Sequence, residues 1–143
     1  MRKDYFENFG EVLISTMYGE YHNIKICGIA AAVPKNTIDN EIYAEKLGNR
    51  RAKKQVLYTG IRHRHCVEQG QSASDLSCYS AEKLLSELHW NRDEIRVLVN
   101  VTQSADLYTP STAMIIQKRL GIGQDCIAFD VNLGCTGYVS GLQ

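Results

Sequence analysis

The sequence predicts an α/β fold built on a parallel sheet, from three observations. Short apolar runs at residues 24–30, 95–101 and 126–131 alternate with helical stretches. The last two runs each follow a helix, as strands do when a crossover returns the chain parallel to the strand before. The helices between them carry recognisable start and stop residues.

The first run, Ile24-Lys25-Ile26-Cys27-Gly28-Ile29-Ala30, is rich in β-branched residues and stops at Val33-Pro34-Lys35-Asn36, which predicts a strand ended by a proline turn. Asp39-Asn40-Glu41 caps a helix running to about Leu47. A second, basic helix runs from Arg50 to Leu57 and stops near Thr59-Gly60, where glycine takes the left-handed conformation that ends a helix. Ser72-x-x-Asp75 opens the clearest helix, with Ala73, Leu76, Ala81, Leu84, Leu85 and Leu88 at three- and four-residue steps along one packed face. After a polar turn at residues 91–94, the apolar centre of 95–101 predicts a strand covered on both faces. Thr109-Pro110 opens a helix with proline at its first position, and Gly121 stops it after Leu120.

Composition limits the function classes. In 143 residues, 44% are hydrophobic and 22% charged, as in soluble globular proteins, and 16 basic residues cancel 16 acidic ones. No positive field gathers nucleic acid or an anionic membrane, and no apolar run reaches the length of a membrane span. The N-terminal stretch is too acidic and polar for a secretory signal, so a cytoplasmic location is expected. Five cysteines with no CxxC spacing fit reduced thiols better than a disulfide framework. Residues 1–22 read as an extension and residues 23–143 as part of a single domain.

The most informative stretch is Asp130-Val131-Asn132-Leu133-Gly134-Cys135-Thr136-Gly137-Tyr138, which leads from a strand through a small-residue turn into a helix. A thiol at a helix start meets unpaired backbone donors and the positive end of the helix dipole, which favour the thiolate. The same donors, at Thr136 and Gly137, can serve an oxyanion. Gly137 and Gly141 are poor helix formers four apart, which predicts a helix against which something packs closely, a buried central one. On composition alone, a cysteine beside an apolar strand is more often a small core residue than a nucleophile.

Several other motifs carry less. His63-x-His65-Cys66 lacks a second cluster to complete a metal site, so no metal is expected. Gly121-x-Gly123 ends a helix rather than opening one, and Leu133 stands where a hydrolase nucleophile elbow needs glycine. Asp106 and Tyr108 lie on the loop after the second predicted strand, where α/β sheets bind ligands, but loop capping suits both.

Four motifs taken in order resemble a known family: Thr59-Gly60-Ile61-Arg62-x-Arg64, Thr109-Pro110-Ser111-Thr112-Ala113, Ile116-Gln117-x-x-Leu120-Gly121, and the cysteine stretch from Ala128 to Tyr138. Together they resemble the 3-oxoacyl-(acyl carrier protein) synthase III branch of the condensing enzymes, over residues 24–143. The resemblance implies the N-terminal part of the first half of a thiolase-like layered αβαβα fold. It implies that Cys135 is the acylated nucleophile and that the acyl group passes to a carbanion made by decarboxylating a malonyl thioester. Acyl-CoA or acyl-carrier protein and malonyl-carrier protein are the implied substrates, with no covalently bound cofactor, and a homodimer is the implied assembly.

The family's later histidine and asparagine have no counterpart here, because His22, His63, His65 and His89 all precede Cys135. The chain is therefore expected to be inactive alone. Where many relatives carry a tryptophan and an arginine before the Thr-Gly pair, this sequence has Lys54 and Tyr58. With Arg62 and Arg64, Lys54 is a candidate contact for coenzyme A or a carrier protein, although on sequence alone such a basic run is more often a solvated helix face. The alternative function is a non-catalytic, condensing-enzyme-like subunit that binds a carrier protein or partner.

Overall fold

The structure is a computed structural model that describes residues 22–48 and 50–143. The extension expected at residues 1–22 therefore falls, except for His22, outside the described residues.

A first group of elements is built by capping and pairing rather than by a large core. It comprises β1 (Asn36–Asp39), α1 (Asn40–Lys46), α2 (Arg50–Thr59) and β2 (His63–Cys66). β1 and β2 pair antiparallel, from Asn36 opposite Cys66 to Asp39 opposite His63. Asp39 ends the strand and caps α1, its carboxylate accepting from Glu41 N at 2.8 Å and Ile42 N at 3.1 Å. Asn40 fastens the next turn: its backbone N donates to Arg62 O at 2.8 Å and its side-chain Nδ2 to Ile61 O at 2.9 Å. Gly60, at φ +70°, stops α2 as the sequence predicts.

The second group holds the apolar core. It comprises α3 (Ala73–Leu88), a 3₁₀ turn at Arg92–Glu94, β3 (Val97–Val101), α4 (Thr112–Arg119), β4 (Ile127–Val131) and α5 (Gly137–Leu142). The capping box predicted for Ser72 and Asp75 is in place, with Ser72 N donating to Asp75 Oδ2 at 2.7 Å. β3 and β4 are parallel and in register from Val97 opposite Ile127 to Val101 opposite Val131. Between α3, α4 and this strand pair lie Cys78, Ile116, Leu120, Ile122 and Cys126, packed with Ala81, Ile95 and Leu98. Burying a side chain such as Ile116 stabilises the fold by about 1.5–3 kcal/mol. Arg92 closes the bottom of this core, Nε donating to Leu120 O at 2.7 Å and Nη2 to Glu82 at 2.6 Å.

The structure corrects four expectations. Residues 24–34 form no strand, and Ile29 is 85% exposed. A strand exists through its ladder, and this segment pairs with neither β3 nor β4; it lies instead along α3, where a Cβ at Gly28 would stand 2.8 Å from Leu84. β3 is not covered on both faces: Val97 is 53% exposed, and among the described residues β4 is the one strand paired with it. Pro110 does not occupy the first position of a helix. Ser111 is the N-cap and α4 begins at Thr112, with Pro110 following a cis peptide bond.

The fourth correction concerns α5. Its glycines do allow a close approach, to Val101 of β3, but Tyr138, Val139 and Leu142 are exposed, so the helix is buried along one side only. A Cβ added at Gly137 would stand 2.5 Å from Val101 Cγ1, nearer than side chains tolerate. Gly137→Ala is therefore expected to destabilise the protein by about 1–3 kcal/mol in denaturant unfolding. Gly123→Ala, where a Cβ meets nothing within 4 Å, should stay within about 0.5 kcal/mol of wild type.

Candidate active site at the carboxyl ends of the parallel strands

The site begins with a charge in an apolar strand. Asp130 interrupts Ile127-Ala128-Phe129 near the end of β4, and a partly buried carboxylate there requires donors. It has three: Thr112 N at 2.7 Å and Ala113 N at 2.8 Å from the first turn of α4, and Asn100 Nδ2 at 2.9 Å from the paired position of β3. Burial works against its ionisation, but the Asn100, Ala113 and Thr112 donors outweigh it and hold the carboxyl below the usual aspartate range. One side chain thus fixes the start of α4 to the ends of both strands.

Around Asp130 opens a depression of about 470 Å³, lined by residues 103–108 with Ser111, Asp130 and Asn132. It lies where loops leave the carboxyl ends of parallel strands, the usual ligand position of α/β sheets. A polar node holds the loop that forms its wall. Asp106 N donates to Thr112 Oγ1 at 3.0 Å, and Asp106 Oδ2 accepts from Ser74 Oγ at 2.5 Å. Arg119 Nη1 donates to the same Ser74 hydroxyl at 2.9 Å, and Nη2 reaches Asp75 at 2.6 Å. Donation from Ser72 N, then from Arg119, holds the Asp75 carboxyl below its usual range. Ser74 and Thr112 are both fully buried, whereas the Arg119–Asp75 pair at the outer side of the node is exposed to solvent.

Cys135 lies beside this depression in sequence and is exposed. The turn that carries it is closed by Gly137 N donating to Gly134 O at 2.9 Å, so α5 starts two residues after the thiol rather than at it. Of the two donors expected to serve an oxyanion, Gly137 N–H is occupied by this turn. Thr136 N–H, like that of Cys135 itself, has no hydrogen-bond partner among the described residues. Gly134 faces Gln103, whose amide would stand 3.1 Å from a Cβ added there, which brings the cysteine turn against the wall of the depression. Cys78 is the opposite case: buried in the core, its thiol is pushed up by desolvation.

The basic candidates lie elsewhere. Arg64 stacks its guanidinium 5.0 Å from the Tyr43 ring centroid, and Arg62 approaches Glu41 at 3.8 Å. Lys54 projects from α2 into solvent. Arg64 lines a groove of about 480 Å³ between α1 and α2 with Tyr43, Leu47, Val56 and Ile61. This groove shares no lining residue with the depression beside Cys135. His65 Nδ1 donates to Pro34 O at 2.7 Å, and among the described residues no three His, Cys, Asp or Glu side chains are placed to hold a metal.

In the sequence Asp130 is visible only as part of the cysteine motif, and nothing local marks Gln103, Ser74 or Asn132. The signal for Asp130 was present, since an acid in an otherwise apolar strand must find partners. The contacts of Gln103 and Ser74 are long-range and leave no local pattern.

A group whose folded pKa is depressed contributes stability above its unfolded pKa, and that contribution is lost as pH falls. For Asp130 the window lies below the ordinary value of 3.8. Asp130→Asn is expected to lower unfolding free energy at pH 7 by about 1–2 kcal/mol, the size of a lost helix cap. In urea titrations from pH 5 to 2, the variant should lose less further stability than wild type; parallel curves would count against the clasp.

No family model matches the chain. Its relatives are nevertheless clear. A beta-ketoacyl-[acyl-carrier-protein] synthase III of Neisseria gonorrhoeae is 33% identical over 118 residues, which is 82% of this chain and 37% of that protein. The synthase III of Clostridium perfringens is 34% identical over 121 residues, 85% of this chain and 36% of that one. The crystal structure of 3-oxoacyl-(acyl-carrier protein) synthase from Burkholderia xenovorans LB400 superposes with a TM-score of 0.72 at 34% identity, covering 79% of this chain and 33% of the other. The chain thus spans a little over a third of the length of the curated relatives it matches, and the fold is thiolase-like, as the motifs imply. In sequence and in fold, the chain belongs to the beta-ketoacyl-[acyl-carrier-protein] synthase III family.

Proposed function

We propose that this chain carries the nucleophile of an acyltransferase of the 3-oxoacyl-[acyl-carrier-protein] synthase III type, acting in fatty acid or related biosynthesis, and that Cys135 is the residue acylated. The observation that carries this reading is the placement of Cys135: an exposed thiol, on the turn between β4 and α5, with the N–H groups of Cys135 and Thr136 beside it unpartnered among the described residues. The Cys135 thiolate attacks the carbonyl carbon of an acyl thioester, the C–S bond to the donor breaks, and the donor leaves as a thiol after taking up a proton. In the second half-reaction a malonyl thioester loses carbon dioxide. Its carbanion attacks the acyl-cysteine and releases the Cys135 sulfur. Backbone donors near the thiol stabilise the oxyanion formed in each addition.

Acyl-CoA or an acyl-carrier protein is the proposed donor and malonyl-carrier protein the proposed acceptor. The names of the relatives support a carrier-protein substrate. Arg62, Arg64 and Lys54 are proposed contacts for the donor's acidic portion, since Arg64 lines the α1–α2 groove and Arg62 and Lys54 are exposed cations next in sequence to its lining residues Ile61 and Gln55. A homodimer working in the cytoplasm is the assembly we propose; no helix among the described residues is long and apolar enough to cross a membrane.

Intact-protein mass spectrometry tests the central step. After incubation with a short acyl thioester, the full-length protein is expected to gain the mass of one acyl group, with peptide mapping placing it on Cys135. Cys135→Ala is expected to gain none. Undiminished acylation of that variant removes Cys135 from the role, and no acylation of wild type favours a non-catalytic binding subunit instead.

A further inference from the structure

The wall of the depression poses a question that fold stability does not answer. Asp106 Oδ1 is buried and has no hydrogen-bond partner among the described residues, although Oδ2 of the same carboxylate accepts from Ser74. A buried acceptor left unpaired opposes folding, and such groups persist where something other than stability requires them. An asparagine or serine at this position would meet the Ser74 hydroxyl without burying a second carboxylate oxygen.

The placement of Asp106 indicates what is required. The loop after β3 is held at its start by Thr102, whose N–H donates to Val131 O at 3.1 Å and whose hydroxyl accepts from Ser104 N at 3.0 Å. Its middle is held at Asp106, which bonds the first turn of α3 through Ser74 and the first turn of α4 through Thr112. Beyond Asp106 the loop is open, with Leu107 and Tyr108 exposed. Between the two anchors stands Gln103, the residue packed against Gly134, next to Cys135.

We propose that Asp106 is a positioning residue: its carboxylate holds segment 103–108 against the buried Ser74 hydroxyl, which Arg119 braces from the surface side, and so sets Gln103 against the turn that presents Cys135. The second carboxylate oxygen is the consequence of that grip. Arg119 polarises the Ser74 hydroxyl from behind, and a charged acceptor receives the resulting bond more strongly than an amide does. Asp106 touches no reacting atom in this role; it acts through Gln103 and the Gly134 turn.

The rate arm of the test rests on the reading of Cys135 as the acylated residue, and the cleavage arm does not. In the full-length protein, Asp106→Ala is expected to slow acylation of Cys135 by an acyl thioester about tenfold or more, the scale of a displaced reacting group. It is also expected to speed chymotrypsin cleavage after Leu107 and Tyr108 about tenfold, with circular dichroism unchanged. Asp106→Asn keeps an oxygen for the Ser74 hydroxyl and is expected to return cleavage to within about threefold of wild type, with acylation intermediate. Faster cleavage with wild-type acylation would make Asp106 merely structural and overturn the proposal, as would wild-type behaviour in both arms. If Asp106→Ala does not fold, Ser74→Ala replaces it: the same loosened loop is expected, and wild-type cleavage there overturns the proposal. Acylation surviving in Cys135→Ala removes the reading of the thiol and leaves the cleavage result to decide the grip on the loop.

Discussion

One carboxylate sets the geometry on which the candidate site depends. Two parallel strands and the helix between them leave three sets of polar groups at one end: the first amides of α4, the side chain of Asn100 on β3, and whatever β4 presents beside it. Asp130 meets all three within 2.9 Å. Without it, the first donors of α4 would lose their acceptor, and the strand ends would lose the Asn100–Asp130 tie across the pair. Its carboxyl stays ionised because these donors outweigh the burial that opposes charge.

That clasp decides how the wall of the depression is held. Holding α4 at its first turn places Thr112 under Asp106, and Asp106 in turn carries the loop that walls the depression. Two residues beyond Asp130 the chain leaves β4, and Gly134 lets it pass close to Gln103 before it turns into α5. Cys135 is presented on that turn, exposed, while Cys78 and Cys126 are held in the apolar core. The difference between the exposed thiol of Cys135 and the two buried ones is one of placement by glycine and by the polar clasp.

Much of this was legible in the sequence where a local rule governs. Asp39 and Ser72 start helices because their side chains or partners satisfy the first amides, and Gly60 and Gly121 stop helices with φ of +70° and +66°. β3 and β4 follow from apolar runs after helices. Pairing, by contrast, is not local. Residues 24–30 have the composition of a strand but no ladder among the described residues, while the polar tetrapeptides Asn36–Asp39 and His63–Cys66 form β1 and β2 because α1 and α2 bring them face to face. The close glycines of α5 follow a local pattern and were readable, but the half-exposed state of that helix and the Ser74–Asp106 contact, 32 positions apart, were not.

The central claim is that Asp130 is an ionised clasp rather than an incidental acid on a strand. Its side-chain carboxyl can be titrated directly by carbon-detected NMR in the isotope-labelled protein, following the Asp130 carbon shift while the native fold is monitored in parallel. The account predicts a midpoint below the ordinary aspartate value of 3.8. A midpoint at or above that value would mean the three donors do not hold the charge, and the geometry built on them would fall.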